Sequence, residues 1–282
     1  MPPVMILTDS SAYLPSEFVE RYPIQVVPLT LNWDGRTYRD GVDIQATEFY
    51  QRLSTSTTLP TTSQISTGVL ISKLQELQAQ GYDVLMLLIS SGISSTYENA
   101  ESVVRQFPAD HVALLDTKLV SMALGFQVLA AARAAADGAA LADCLEIARR
   151  AYDHIGVYFT VDTLKYLAAG GRINTASRLL GTALNIKPIL QIRGGKIELV
   201  SSVVSHKKAL DRMLAQVETD IDHRTPVRIS VFHALDPQAA AELMETARQR
   251  FAPVETIMSE VSPVIGTHVG PGTLALAYQA GD

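Results

Sequence analysis

The chain has 282 residues, with 23 Lys and Arg against 29 Asp and Glu and a formal net charge of −6. That balance excludes the basic footprint on which nucleic-acid binding depends, and 47% apolar with only 18% charged residues excludes a disordered polymer. A single cysteine, Cys144, excludes an internal disulfide and a thiolate metal cluster.

Met1-Pro2-Pro3 leads straight into a strand-like segment, Val4 to Leu7, with no basic start or signal core, so a cytoplasmic protein is expected. A second run, Ile24 to Leu31, precedes Asp34-Gly35, which reads as a hairpin turn into Thr37-Tyr38. Residues 54–67 carry ten hydroxyl side chains in fourteen positions and read as a loop, because such side chains compete for backbone hydrogen bonds. Ser66 is placed to cap a helix with Val69, Leu70, Leu74 and Leu77 on one stripe, closing at Gly81. The run Val84 to Ile89 suits a strand buried on both faces and is far short of the roughly 20 residues that span a bilayer, so no stable membrane insertion is expected. Helices are expected at about 95–106, 119–136 and 141–154, with a strand at Val112 to Leu115 between the first two.

Beyond a boundary placed near residue 155, the pattern predicts a strand at Val157 to Val161 and helices at about 162–169 and 175–184. A hairpin joined by Gly194-Gly195 follows, then a helix at about 205–218, a strand at Val227 to Phe232 and a helix at about 237–250. Strands near 254–258, 261–267 and 273–279 close the chain. This is an α/β chain of two α/β domains, residues 1–155 with a mainly parallel sheet flanked by helices and residues 156–282 with a mixed sheet and helices.

No Walker A loop and no Gly-x-Gly-x-x-Gly follows a strand, and no histidine pair has helical ligand spacing, so neither a cofactor nor a metal is expected. Gly92-Ile93-Ser94-Ser95-Thr96 looks like part of a nucleophile elbow, and Ser94, Asp162 and His268 follow the hydrolase order, but the second glycine is missing; a helix N-cap explains Ser94 as well. His268 lies in Gly266-Thr267-His268-Val269-Gly270-Pro271-Gly272, where the glycine density fits either a tight turn or close approach to a ligand. Arg172, after Gly170-Gly171, is either a favourable charge at a helix C-terminus or a cation for an anionic ligand.

Several segments in order resemble the DegV family of fatty-acid-binding proteins: Leu7-Thr8-Asp9-Ser10, Thr62-Ser63-Gln64, Ser90 to Ser94 with Thr96-Tyr97, Asp162 to Leu167 leading into Gly170-Gly171-Arg172-Ile173, Asn185 to Leu190, and Gly266 to Gly272. The resemblance implies a long-chain fatty acid held between two domains, its carboxylate bound by Thr62, Ser94 and His268, with Arg172 near the head group. It also implies a partner, a separate ATP-dependent fatty acid kinase that makes acyl phosphate for phospholipid synthesis, so that the chain is a lipid-binding carrier subunit and not a catalyst alone. Two hydroxyls and an imidazolium would supply charge-assisted donors to that carboxylate. Ile65 and Ser95 replace the proline and glycine usual in the family, and Val204-Ser205-His206 stands where related sequences carry an arginine thought to face the kinase. The alternatives are a serine hydrolase using Ser94 and His268 and a lipid sensor without a kinase partner.

Overall fold

The computed structural model describes residues 2–181 and 186–281. Strand β1 (Val4–Asp9) is followed by a short helix α1 (Ser16–Arg21), β2 (Ile24–Val27), β3 (Thr30–Trp33) and β4 (Arg36–Arg39). The run expected as one strand from Ile24 is cut at Pro28: β2 pairs with β1, whereas β3 belongs to another sheet. Asp34 and Gly35 both have positive φ, 49° and 75°, as a two-residue hairpin turn matching strand twist requires. The hydroxyl-rich segment is not all loop, since helix α2 (Ala46–Thr55) ends inside it and β5 (Thr61–Ser63) forms the third strand of a small antiparallel sheet, order β4-β3-β5.

Helix α3 (Thr67–Ala79) is capped by Ser66, whose Oγ accepts the Val69 N–H, and buries Leu70, Leu74 and Leu77. Then come β6 (Asp83–Leu88), α4 (Thr96–Val104), β7 (Val112–Asp116), α5 (Ser121–Ala136) and α6 (Leu141–Ala151). The first main sheet has the order β2-β1-β6-β7 and is parallel throughout. Every residue of β6 is buried, which is why its sequence is continuously apolar rather than alternating.

The later half builds a six-stranded mixed sheet, order β10-β9-β8-β13-β11-β12. Its strands are β8 (Ile155–Thr160), β9 (Lys187–Arg193), β10 (Lys196–Val203), β11 (Val227–His233), β12 (Glu255–Glu260) and β13 (Leu274–Ala280). Its helices are α7 (Lys165–Ala169), α8 (His206–Ile221), α9 (Pro237–Phe251) and α10 (Pro263–Val269). The helix expected over 175–184 is a 3-10 turn, Asn174–Leu179, in its described part; residues 182–185, Asn185 of the family segment included, lie outside the described residues.

The strand expected at 261–267 is overturned by α10. Ser262 Oγ accepts the Ile265 N–H and Pro263 supplies a pre-set helical φ at the first turn, so a Ser-Pro cap overrides the β-branched character of the segment. Helix α5 is apolar on nearly every face because it touches both large sheets, β1 and β6 on one side and β8 and β13 on the other. Each large side chain it buries, such as Leu124, Phe126 and Leu129, contributes roughly 1.5–3 kcal/mol, and one core therefore runs from lobe to lobe.

Candidate ligand site

In the parallel sheet the chain leaves β1 toward β2 on one side and reaches β6 and β7 on the other, so the strand order reverses between β1 and β6. Crevices at such switch points, beyond the carboxyl ends of the strands, are where open α/β sheets bind ligands. Carboxylates fasten the loop that leaves β6 there. Asp9, fully buried at the end of β1, accepts the Ile89 N–H at 2.7 Å and the Ser11 N–H at 2.9 Å. Asp116, at the end of β7, takes the Ser91 N–H and hydroxyl, the latter at 2.6 Å. Ser94 is thereby held at the switch point, where its Oγ accepts the Thr96 N–H (3.2 Å) and lies 2.9 Å from Thr96 Oγ1. The N-cap position of α4 is Ser95, without a side-chain cap bond, so the capping role considered for Ser94 is replaced by this bond one residue earlier.

His268 arrives from the other lobe on α10, which packs against α2, β3, β5 and α7. Its Nε2 and Thr62 Oγ1 share a hydrogen bond of 2.8 Å across 206 residues of sequence, the tautomer deciding which atom donates. On the ring's other side Gly170 is required: a Cβ there would stand 2.2 Å from His268 Nδ1. Nδ1 is buried and has no hydrogen-bond partner among the described residues. Arg172 follows the end of α7, its own N–H bonded to the Leu167 carbonyl, and its guanidinium donates to the carbonyls of Gly170 (2.5 Å) and Ile93 (3.0 Å). Burial first, and then the Arg172 charge, push the His268 pKa down to about 4. The imidazolium expected from the sequence is therefore a neutral imidazole at neutral pH, and Arg172 is the cation of this cluster.

Thr62, Ser94, Arg172 and His268 all line one cavity at the junction of the lobes. A second cavity lies behind it, walled almost wholly by apolar side chains including Val157, Phe159, Ile197, Phe232 and Val261. Ile93, Arg172, Ile265 and His268 belong to both walls, so a polar chamber and an apolar one adjoin. The hydrolase arrangement is not assembled. Asp162 Oδ1 takes the Lys187 ammonium at 2.5 Å, His268 Nε2 is engaged by Thr62, and no hydrogen bond among the described residues joins His268 to Ser94 or Asp162.

The profile of a family described as "Uncharacterised protein, DegV family" matches residues 3–281. The chain belongs to the DegV family. A DegV domain-containing protein of Listeria innocua is 35% identical to it, with 98% of each chain covered. Among solved structures, a DegV family protein of Thermus thermophilus, described for its fatty acid binding, superposes with a TM-score of 0.93 at 32% identity over 99% of both chains. DegV of Bacillus subtilis, described as a fatty acid binding protein, gives a TM-score of 0.90 at 31% identity, covering 99% of this chain and 100% of that one.

Sequence reasoning missed one residue that sets up the site in this DegV chain. Asp40 is buried to 2% exposure; its Oδ1 accepts the Val264 N–H at the start of α10 (3.1 Å) and its Oδ2 the Ser10 hydroxyl (2.7 Å). It thus ties the His268 helix to the first lobe. The signal in the sequence is Arg-Asp-Gly at residues 39–41 in a hairpin exit, and nothing local says that α10 lands on it.

Proposed function

We propose that this chain binds one long-chain fatty acid between domains spanning residues 1–155 and 156–282, and lends it to a separate ATP-dependent kinase. The observation that carries the reading is the shared wall of the two chambers, because it gives the polar-then-apolar profile of a fatty acid. In this reading Thr62, Ser94 and His268 hydrogen-bond the carboxylate and Arg172 supplies the opposing charge. The acyl tail fills the apolar chamber, where each methylene buried contributes roughly 0.8 kcal/mol, partly offset by association entropy. The fatty acid binding described for the Thermus and Bacillus relatives supports the same assignment.

Two features support presentation to a kinase. The sequence contains no phosphate-cradling Walker motif, and Ser63, Gln64 and Ser95 at the chamber wall are exposed, which leaves the carboxylate within reach of a docked partner. A carboxylate oxygen would attack the γ-phosphorus of ATP held by the partner in the cytoplasm, releasing ADP and leaving an acyl phosphate for phospholipid synthesis. Two measurements test this. Mass spectrometry of a denaturing extract of the purified protein should find long-chain fatty acid at about one per chain, and none would count against the ligand. Acyl phosphate should form from fatty acid, ATP and magnesium only when a competent kinase is added; its formation by this chain alone would defeat the carrier reading. An active-site serine probe should leave Ser94 unlabelled, since no base among the described residues is hydrogen-bonded to it.

A further inference from the structure

Strand β8 pairs with β13 along its whole length, from Ile155 opposite Gln279 to Thr160 opposite Leu274, yet pairs with β9 only through Tyr158–Gln191, Phe159–Leu190 and Thr160–Ile189. Continuing that antiparallel register would set Val157 against Ile192 and Gly156 against Arg193, and neither pair forms. The mixed sheet is forked in its interior at this point. Backbone groups left unpaired by a fork need water, and a cleft lies there, its wall including Gly156, Tyr158, Gln191, Arg193, Asp220 and Tyr278. Val157 and Ile192 line both this cleft and the apolar chamber, so the two residues at the crotch of the fork are all that the two spaces share. The far side is polar and organised: the hydroxyls of Tyr158 and Tyr278 both donate to Asp220 Oδ2, at 2.6 and 2.9 Å. A carboxylate has about four acceptor positions, so Asp220 retains capacity for a further donor.

We propose that the fork is a second mouth of the acyl chamber, at its tail end, and that the site accepts fatty acids carrying a hydroxyl at the ω end. The proposal rests on the fatty-acid reading of the polar chamber. A hydroxyl stranded inside the apolar chamber would lose its hydrogen bonds, whereas one that passes between Val157 and Ile192 meets water and Asp220.

The test uses the full chain and matched pairs of saturated acids, plain and ω-hydroxylated, of about twelve to about twenty carbons, ranked by displacement of a fluorescent fatty acid. The hydroxyl should weaken the short members by at least about tenfold and the members long enough to reach the fork by no more than about threefold. Ile192→Trp, which fills the crotch, should bring the penalty back at the long members; Gln191→Trp, which narrows the cleft from outside, gives the same readout if the first variant does not fold. A penalty of tenfold or more at every length in the unaltered protein, or a ratio of hydroxylated to plain affinity unmoved in both folded variants, would overturn the second mouth. Failure of every plain acid to bind would instead end the fatty-acid reading, and this proposal with it.

Discussion

His268 contributes to the pH dependence of the site. Its pKa in the folded chain is about 4, against about 6.5 for an unperturbed imidazole. Well above pH 6.5 the ring is neutral folded or unfolded and contributes nothing to pH dependence. As pH falls from 6.5 toward 4 the unfolded chain takes up a proton that the folded one refuses, so stability is lost, by up to about 3 kcal/mol once pH is below 4. His268→Asn should flatten that slope, read as the difference in urea midpoint between pH 7 and pH 4.5; an unchanged slope would place the titration elsewhere. Arg172 is the second depressing cause, so Arg172→Ala should move the His268 titration upward by NMR. The same variant should weaken fatty-acid binding roughly 10- to 100-fold, the range of a lost charge-assisted hydrogen bond, and leave a fatty alcohol nearly unaffected. Equal losses for acid and alcohol would mean that Arg172 shapes the chamber rather than opposing a charge.

At the scale of elements, α10 decides whether Thr62 and His268 meet. Its start is held by Asp40, its middle approaches α2 so closely that a Cβ on Gly266 would lie 2.5 Å from the Tyr50 hydroxyl, and its His268 ring abuts Gly170 beyond α7. Asp40→Ala orphans the Val264 N–H and the Ser10 hydroxyl and should cost about 2–3 kcal/mol in denaturant unfolding. Gly170→Ala should be milder for stability, about 1–3 kcal/mol of overpacking, but costly for function, because the new methyl displaces the imidazole from Thr62. Calorimetry alongside fatty-acid binding separates the two effects: affinity lost at least about tenfold with a cooperative transition intact is the expected result.

At the scale of the molecule, the polar chamber draws its walls from both lobes, Thr62 and Ser94 from one and Arg172 and His268 from the other. A ligand seated there binds only the folded arrangement and so stabilises it. At a concentration about 100 times its Kd it should add about 2.7 kcal/mol, a rise of roughly 5 °C in Tm by scanning calorimetry. Delipidation should reverse the shift and a fatty acid should restore it. A Tm that does not move while binding is saturated would show that the ligand sits outside the junction.

Local patterns alone fixed much of this chain. The continuous apolar run of β6, the Asp34-Gly35 turn, the Ser66 cap and the Gly194-Gly195 hairpin each depend on residues within a few positions of one another, and each has the expected structure. The family segments likewise marked Thr62, Ser94, Arg172 and His268 before any contact between them was visible, and the fold gathers all four around one chamber. Local reading failed where a distant partner decided the outcome: residues 261–267 look like a strand until Asp40 takes the Val264 N–H and α10 packs between the lobes. It failed also for the charge on His268, because a pKa is set by burial and by Arg172, 96 positions away in the chain and adjacent only in the fold. The apolar chamber and the fork behind it were equally out of reach of the sequence, since a cavity and a diverging pair of strands are properties of what fails to touch, and only tertiary packing decides that.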